Sequence, residues 1–180
     1  MADTATTDEA SATGARPGAH PVPGRRLPAS IPLARIAARV GPRGAREIVS
    51  QARTGTVAEV AACKRTLVVT YKRDGTPVPT PVWSAEANGL LYVRTERTAG
   101  KVKRLKRDSR MLIAPCTVRG RPLGAPLEAR ARMLASTEEA PAERALATAY
   151  GFGRALFERT MDVMRVDMGY LEITPGAWDA

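Results

Sequence analysis

Between Arg94 and Arg110 the sequence gathers the side chains that hold anions. Arg94, Arg97, Lys101, Lys103, Arg104, Lys106, Arg107 and Arg110 stand against only Glu96 and Asp108, so this segment carries six of the ten net positive charges. The first 46 residues contribute seven arginines against three acids, and the remainder is neutral. Charge focused in this way attracts and steers anions. Within the segment, Thr95 ends a strand pattern, Thr98 is placed as an N-cap, and a helix begins with Gly100 and Lys101 in its first turn. Unpaired N–H groups and the positive end of the helix dipole make such a start suited to phosphate. Gly100 permits close approach to the backbone, Lys101 adds a point charge, and Arg104 lies one turn on. The competing reading is a solvated basic helix face.

Other catalytic chemistries find little material. His20 is the one histidine and lies in a Pro/Gly/Arg-rich leader, which leaves no histidine base for a nucleophile in the remainder. Cys63 and Cys116 lie 53 positions apart with no ligand spacing around them, so neither a disulfide framework nor a metal site is expected. No run of about 18 apolar residues occurs. Arg25-Arg26-Leu27 resembles a twin-arginine signal, but Arg35 and Arg39 interrupt the apolar stretch that such a signal needs, and a cytoplasmic chain is expected.

The elements that must position these residues read mostly as strands. Residues 1–45 are an Arg/Pro/Ala-rich leader expected to be disordered, apart from a short amphipathic helix from Ile31 to Val40; 46–60 form a helical lead-in. Thr66–Tyr71 is a strand, Arg73-Asp74-Gly75 a hairpin turn, and Thr76–Ala85 a second strand. In that strand Pro77, Pro79 and Pro81 alternate with Val78, Thr80 and Val82, so one of its edges lacks N–H donors. Asn88-Gly89 marks a type I′ turn before strand Leu90–Thr95. Further strands are expected at Met111–Val118, Ala125–Ala135 and Met168–Thr174, with a helix over Glu138–Arg165 broken near Gly151 and Gly153. Met161, Met164 and Met168 read as core, and Glu138, Glu139 and Glu143 as a helix N-terminus. About six antiparallel strands with peripheral helices make a mainly β barrel.

Asp74-Gly75-Thr76-Pro77, Thr80-Pro81-Val82-Trp83, Leu91-Tyr92-Val93-Arg94-Thr95, Gly100-Lys101-Val102-Lys103-Arg104-Leu105 and Ala114-Pro115-Cys116-Thr117-Val118-Arg119-Gly120, in this order, resemble the pyridoxamine 5'-phosphate oxidase-like split β-barrel proteins, and within them the coenzyme F420-dependent oxidoreductases. The resemblance spans 60–175, and the corresponding domain is bounded at 61–175 with a tail at 176–180. It implies an FMN-binding split β-barrel, a homodimer with cofactor sites at its interface, and hydride transfer between coenzyme F420 and a small unsaturated substrate. FMN is the alternative cofactor. Thr80, Pro81, Val82 and Trp83 would lie along the ring, and Arg94, Thr95, Gly100, Lys101 and Arg104 would approach the phosphate. Lys103, Lys106, Arg107 and Arg110 would meet the oligoglutamate tail. Ala99, where relatives often carry serine, and Thr117, where they often carry aspartate, depart from the pattern. Tyr71, Tyr92 and Cys116 are candidate proton donors, and Trp178 a candidate cap on a dimer interface. A nucleic-acid-binding module remains as a further reading, with few aromatic residues to stack bases.

Overall fold

In the computed structural model the described residues are 47–163 and 166–178, with side chains described outside 152–165. The leader, its amphipathic helix, Met161 and Met164 therefore lie outside the described residues or side chains. A helical turn at 47–50 precedes α1 (Val57–Ala62), whose N-terminus is closed by a capping box between Thr56 and Glu59. The chain continues through β1 (Arg65–Tyr71), β2 (Pro77–Trp83), β3 (Ala85–Ala87), β4 (Leu90–Glu96), α2 (Gly100–Arg107), β5 (Arg110–Pro115), β6 (Leu127–Met133), α3 (Ala140–Val163) and β7 (Met168–Pro175). The hairpin before β4 turns through Asn88 and Gly89 at φ 55° and 77°, the positive pair that a type I′ turn requires. α3 carries a break at Gly151, with φ 51° and ψ −134°.

All pairings are antiparallel, in the order β2-β1-β5-β6-β7-β4-β3. β2 and β3 are separated only by Ser84, so they act as one bent strand that pairs with β1 before the bend and with β4 after it. Six strands thus close a barrel. Its interior is filled by Val68, Val82, Leu91, Val93, Met111, Ile113, Ala129, Leu171 and Ile173, with Leu105 of α2 entering from one end. Leu146, Ala142 and Ala145 of α3 cover the outer face of β3, β4 and β7 together with Tyr92 and Tyr170. Ile48 and Trp178 cover the outer face of β1 and β5.

The alternating prolines fix where the barrel is open. The Cys116 N–H donates to the Arg65 carbonyl at 3.1 Å, so the odd residues of β1 point their backbone groups at β5 and the even ones at β2. Opposite those even residues stand Val82, Thr80 and Val78. The backbone groups of Pro77, Pro79 and Pro81 therefore face outward, where they offer carbonyls and no donor. β2 and β4 come close to one another, yet among the described residues no ladder joins them. The strand expected over Met111–Val118 stops at Pro115, with an isolated bridge between Cys116 and Pro122. The one over Ala125–Ala135 is shorter too, because Gly55 closes on this end and donates to the Pro126 carbonyl.

At the bend, the Ser84 and Thr66 hydroxyls share a 2.5 Å hydrogen bond and both residues are buried. Ser84→Ala leaves the Thr66 hydroxyl without this partner and is expected to cost about 1–3 kcal/mol in urea unfolding, while adding Thr66→Val recovers most of the loss. Strictly additive losses would show that the pair does not hold the bend.

Candidate functional site

α2 lies across the barrel end at which β1 and β4 finish, near Thr70 and Thr95. Val102 and Leu105 are buried beneath it, and its basic side chains divide into two sets. Lys103, Lys106 and Arg107 are exposed. Lys101 and Arg104 instead turn inward, each to a buried threonine on a different strand. Lys101 Nζ donates to Thr95 Oγ1 at 2.7 Å, and Arg104 Nε donates to Thr70 Oγ1 at 2.7 Å. Thr70 is a site residue that sequence reasoning missed; its position, three residues before Arg73 and on the inward face of β1, was the available signal.

The N-cap of α2 is Ala99, not Thr98, and no side chain caps the helix. The Thr98 hydroxyl is turned away to the Glu96 carboxylate. Ala99 has no group to accept from the first turn, and that turn contains no acid. The Gly100 face expected to admit a ligand is approached by Arg104: a Cβ at Gly100 would stand 3.1 Å from the guanidinium Nη1. Two cations are thus held beside the positive end of a helix. Burial, then the neighbouring Arg104, lowers Lys101 to about 8, opposed only in part by Glu96. Burial, then Arg107, also lowers Arg104. An anion placed here would relieve all of these costs.

The sequence-predicted site residues do not all converge. Thr95, Gly100, Lys101 and Arg104 form the cluster just described. Arg94 is on the other face of β4: it lies across from Tyr170, its guanidinium 6.0 Å from that ring, in the layer that includes Tyr92. Adjacent residues of a strand point to opposite sides, which is why Arg94 and Thr95 of one chain cannot approach one group together. Thr80, Pro81 and Val82 run along the open edge, with the Val82 side chain in the barrel interior. Trp83 is opposite Arg65, at the end of β1 away from Thr70, a span of about 16 Å. There it stacks on Tyr150 at 5.6 Å and takes the Arg65 guanidinium 5.1 Å from its ring centre. Tyr150 is fixed in turn by donating to the carbonyls of Lys64 and Ser84. A cleft of about 560 Å³ opens beside it, lined by Cys63, Lys64, Arg65, Trp83, Cys116, Thr117, Val118 and Tyr150.

Several other expectations are resolved by contacts. Arg97 is a tie between elements, donating to the Leu134 carbonyl and pairing with Glu139 and Asp167. Arg110 is matched by Asp108 at 3.1 Å, and Arg107 donates to the Tyr71 carbonyl at 2.6 Å, so neither is wholly available to a tail. Trp178 packs edge-on to Tyr71 and donates to the carbonyls of Met111 and Ala129 within its own chain. Burial raises the Tyr71 and Tyr92 phenols and holds the Cys116 thiol at about 11, and none of the three is hydrogen-bonded to Lys101 or Arg104. Glu138 accepts from the Ala135 N–H and pairs with Arg132, as a residue at a helix start does. Among the described residues no group of three His, Cys, Asp or Glu could hold a metal, and no helix is long and apolar enough to cross a membrane.

No family model and no curated protein matches the sequence. Solved structures do. A proposed 5-nitroimidazole antibiotic resistance protein of Bacteroides thetaiotaomicron matches with a TM-score of 0.50 and 13% identity, over 67% of this chain and 77% of that one. That likeness establishes a shared fold. A proposed pyridoxamine 5'-phosphate oxidase of Listeria innocua matches at 0.47 and 10% identity, over 67% and 90%. A pyridoxamine 5'-phosphate oxidase-related, FMN-binding protein of Nostoc punctiforme matches at 0.42 and 13%, over 62% and 70%. The chain is a mainly antiparallel β-barrel with few helices, a fold it shares with the Bacteroides protein.

Because Lys101 is held below its ordinary value, the unfolded chain binds its proton more readily than the folded one between about pH 8 and 10.5. The Lys101 contribution to the stability of the ligand-free protein should therefore rise with pH across that window, opposed above about pH 9 by the raised Cys116 thiol. Lys101→Met should remove this slope and stabilise the ligand-free protein at pH 7 by at most about 3 kcal/mol. Parallel urea-unfolding profiles for the two proteins would contradict the placement.

Proposed function

We propose that the protein is an oxidoreductase that binds the phosphorylated deazaflavin coenzyme F420 and passes hydride between it and a small unsaturated organic substrate. The observation that carries the reading is the pair of inward-turned cations at an uncapped helix start, Lys101 on Thr95 and Arg104 on Thr70, with no acid in the first turn. These groups fit a phosphate: charge-assisted donors, free helical N–H groups and little bulk at Gly100. Arg94, on the opposite face, is not part of this cradle.

The cofactor, when bound, supplies the hydride chemistry. This chain's residues bind and orient. Lys101 and Arg104 hold the phosphate, and the Pro77–Pro81 carbonyls offer acceptors to ring N–H groups along the open edge of β2. The donor-free edge means that ring oxygens must find their partners elsewhere. Exposed Lys103 and Lys106 give the oligoglutamate tail a basic surface that FMN would leave unused, which favours the deazaflavin over FMN. The reading includes a homodimer with a site at each end of its interface.

Titration of the purified protein with F420, FMN and a phosphate-free deazaflavin, followed by fluorescence, tests this. F420 is expected to bind most tightly, and Lys101→Ala to weaken it roughly 10- to 100-fold while sparing the phosphate-free analogue. Equal loss for both ligands contradicts the role of Lys101. Tighter FMN binding replaces the cofactor, and binding of only a duplex oligonucleotide, with steep salt dependence, replaces the function.

A further inference from the structure

We infer that Cys63 and Cys116 form a reversible intramolecular disulfide that fastens the end of α1 to the end of β5 at the wall of the cleft beside Trp83. The inference goes beyond the proposed function and does not need it.

Both thiols line the same cleft. The Cys116 N–H bond to the Arg65 carbonyl places Cys116 directly across from Arg65, so their side chains share a face. Cys63 is two residues before Arg65, in the bend between α1 and β1, with extended backbone at φ −99° and ψ 130°. The end of α1 thus brings Cys63 to the cleft and the end of β5 brings Cys116 to it, on either side of Arg65. Arg65 and Cys63 both act electrostatically on the Cys116 thiol. The sequence contains no third cysteine to compete.

The two thiols have different surroundings. Cys116 is 4% exposed, in the layer with Leu67, Val69 and Leu112, whereas Cys63 is partly exposed at the cleft wall. Cys63 is therefore the sulfur that meets an oxidant from solvent. With hydrogen peroxide, the Cys63 thiolate attacks one oxygen, the O–O bond breaks, and hydroxide leaves with a proton as water. The resulting sulfenic acid is attacked by the Cys116 sulfur, the S–O bond breaks, and the Cys116 proton departs with the hydroxyl as a second water. Two thiols and one peroxide give one disulfide and two waters. The new bond joins a turn next to Arg65, which covers Trp83, to the start of the loop that carries exposed Val118. Oxidation would thus fix the width of the cleft mouth.

The test uses the full-length protein treated with hydrogen peroxide, then alkylated and weighed intact, with and without prior dithiothreitol. The expected result is loss of both alkylation sites with a mass loss of about 2 Da, reversed by dithiothreitol, on a single chain. Cys116→Ser should arrest the reaction at a sulfenic acid that dimedone traps on Cys63, and Cys63→Ser should give no adduct. Two thiols that stay open to alkylation after treatment would overturn the inference. So would a disulfide joining two chains, or dimedone labelling of Cys116 instead of Cys63.

Discussion

Alternate prolines deprive the outer edge of β2 of every N–H between Pro77 and Pro81, and the form of the barrel results from this. An edge without donors cannot carry a full ladder onto β4, although the two strands approach one another. The chain closes the barrel anyway by bending at Ser84, where the same strand exchanges β1 for β4. A buried hydroxyl pair at Thr66 and Ser84 holds the bend on its inner side, and Tyr150 holds the Ser84 carbonyl on its outer side. The resulting seam is a feature of the covalent chain, present before any ligand arrives.

A barrel open along a seam needs its ends secured, and α2 secures one of them. Its apolar residues enter the interior, while Lys101 and Arg104 tie the helix to β4 and β1, the strands on the two sides of β2 and β3 in the closed barrel. The same two bonds bring positive charge, opposed only in part by Glu96, to a helix start. Stability alone would be served as well by neutral donors. The depressed Lys101 shows that this arrangement costs free energy in the ligand-free protein. A cost of that kind is common where a charged group is kept for binding.

The opposite end of β1 has a different character. Trp83 is clamped between elements, with Tyr150 stacked on it and Arg65 set against its ring, and both cysteines are within the same cleft. Charge dominates one end and aromatic and sulfur groups the other, about five residues of β1 apart.

Much of this was legible in the residues alone. Period-2 alternation placed the prolines on one edge, Asn88-Gly89 fixed a hairpin, and the charge count singled out the helix after β4, because each signal is local and repeats at the spacing of its element. The strand period also held the clue that Arg94 and Thr95 diverge, since neighbours in a strand face opposite ways. What the sequence could not determine is which groups meet across the barrel. Thr95 with Lys101 is a separation of six residues, but Thr70 with Arg104 is 34 and Trp83 with Tyr150 is a strand on a distant helix. Those pairings depend on strand order and on the partner exchange at Ser84, and so only tertiary structure decided that two of the many basic side chains turn inward while the rest remain in water.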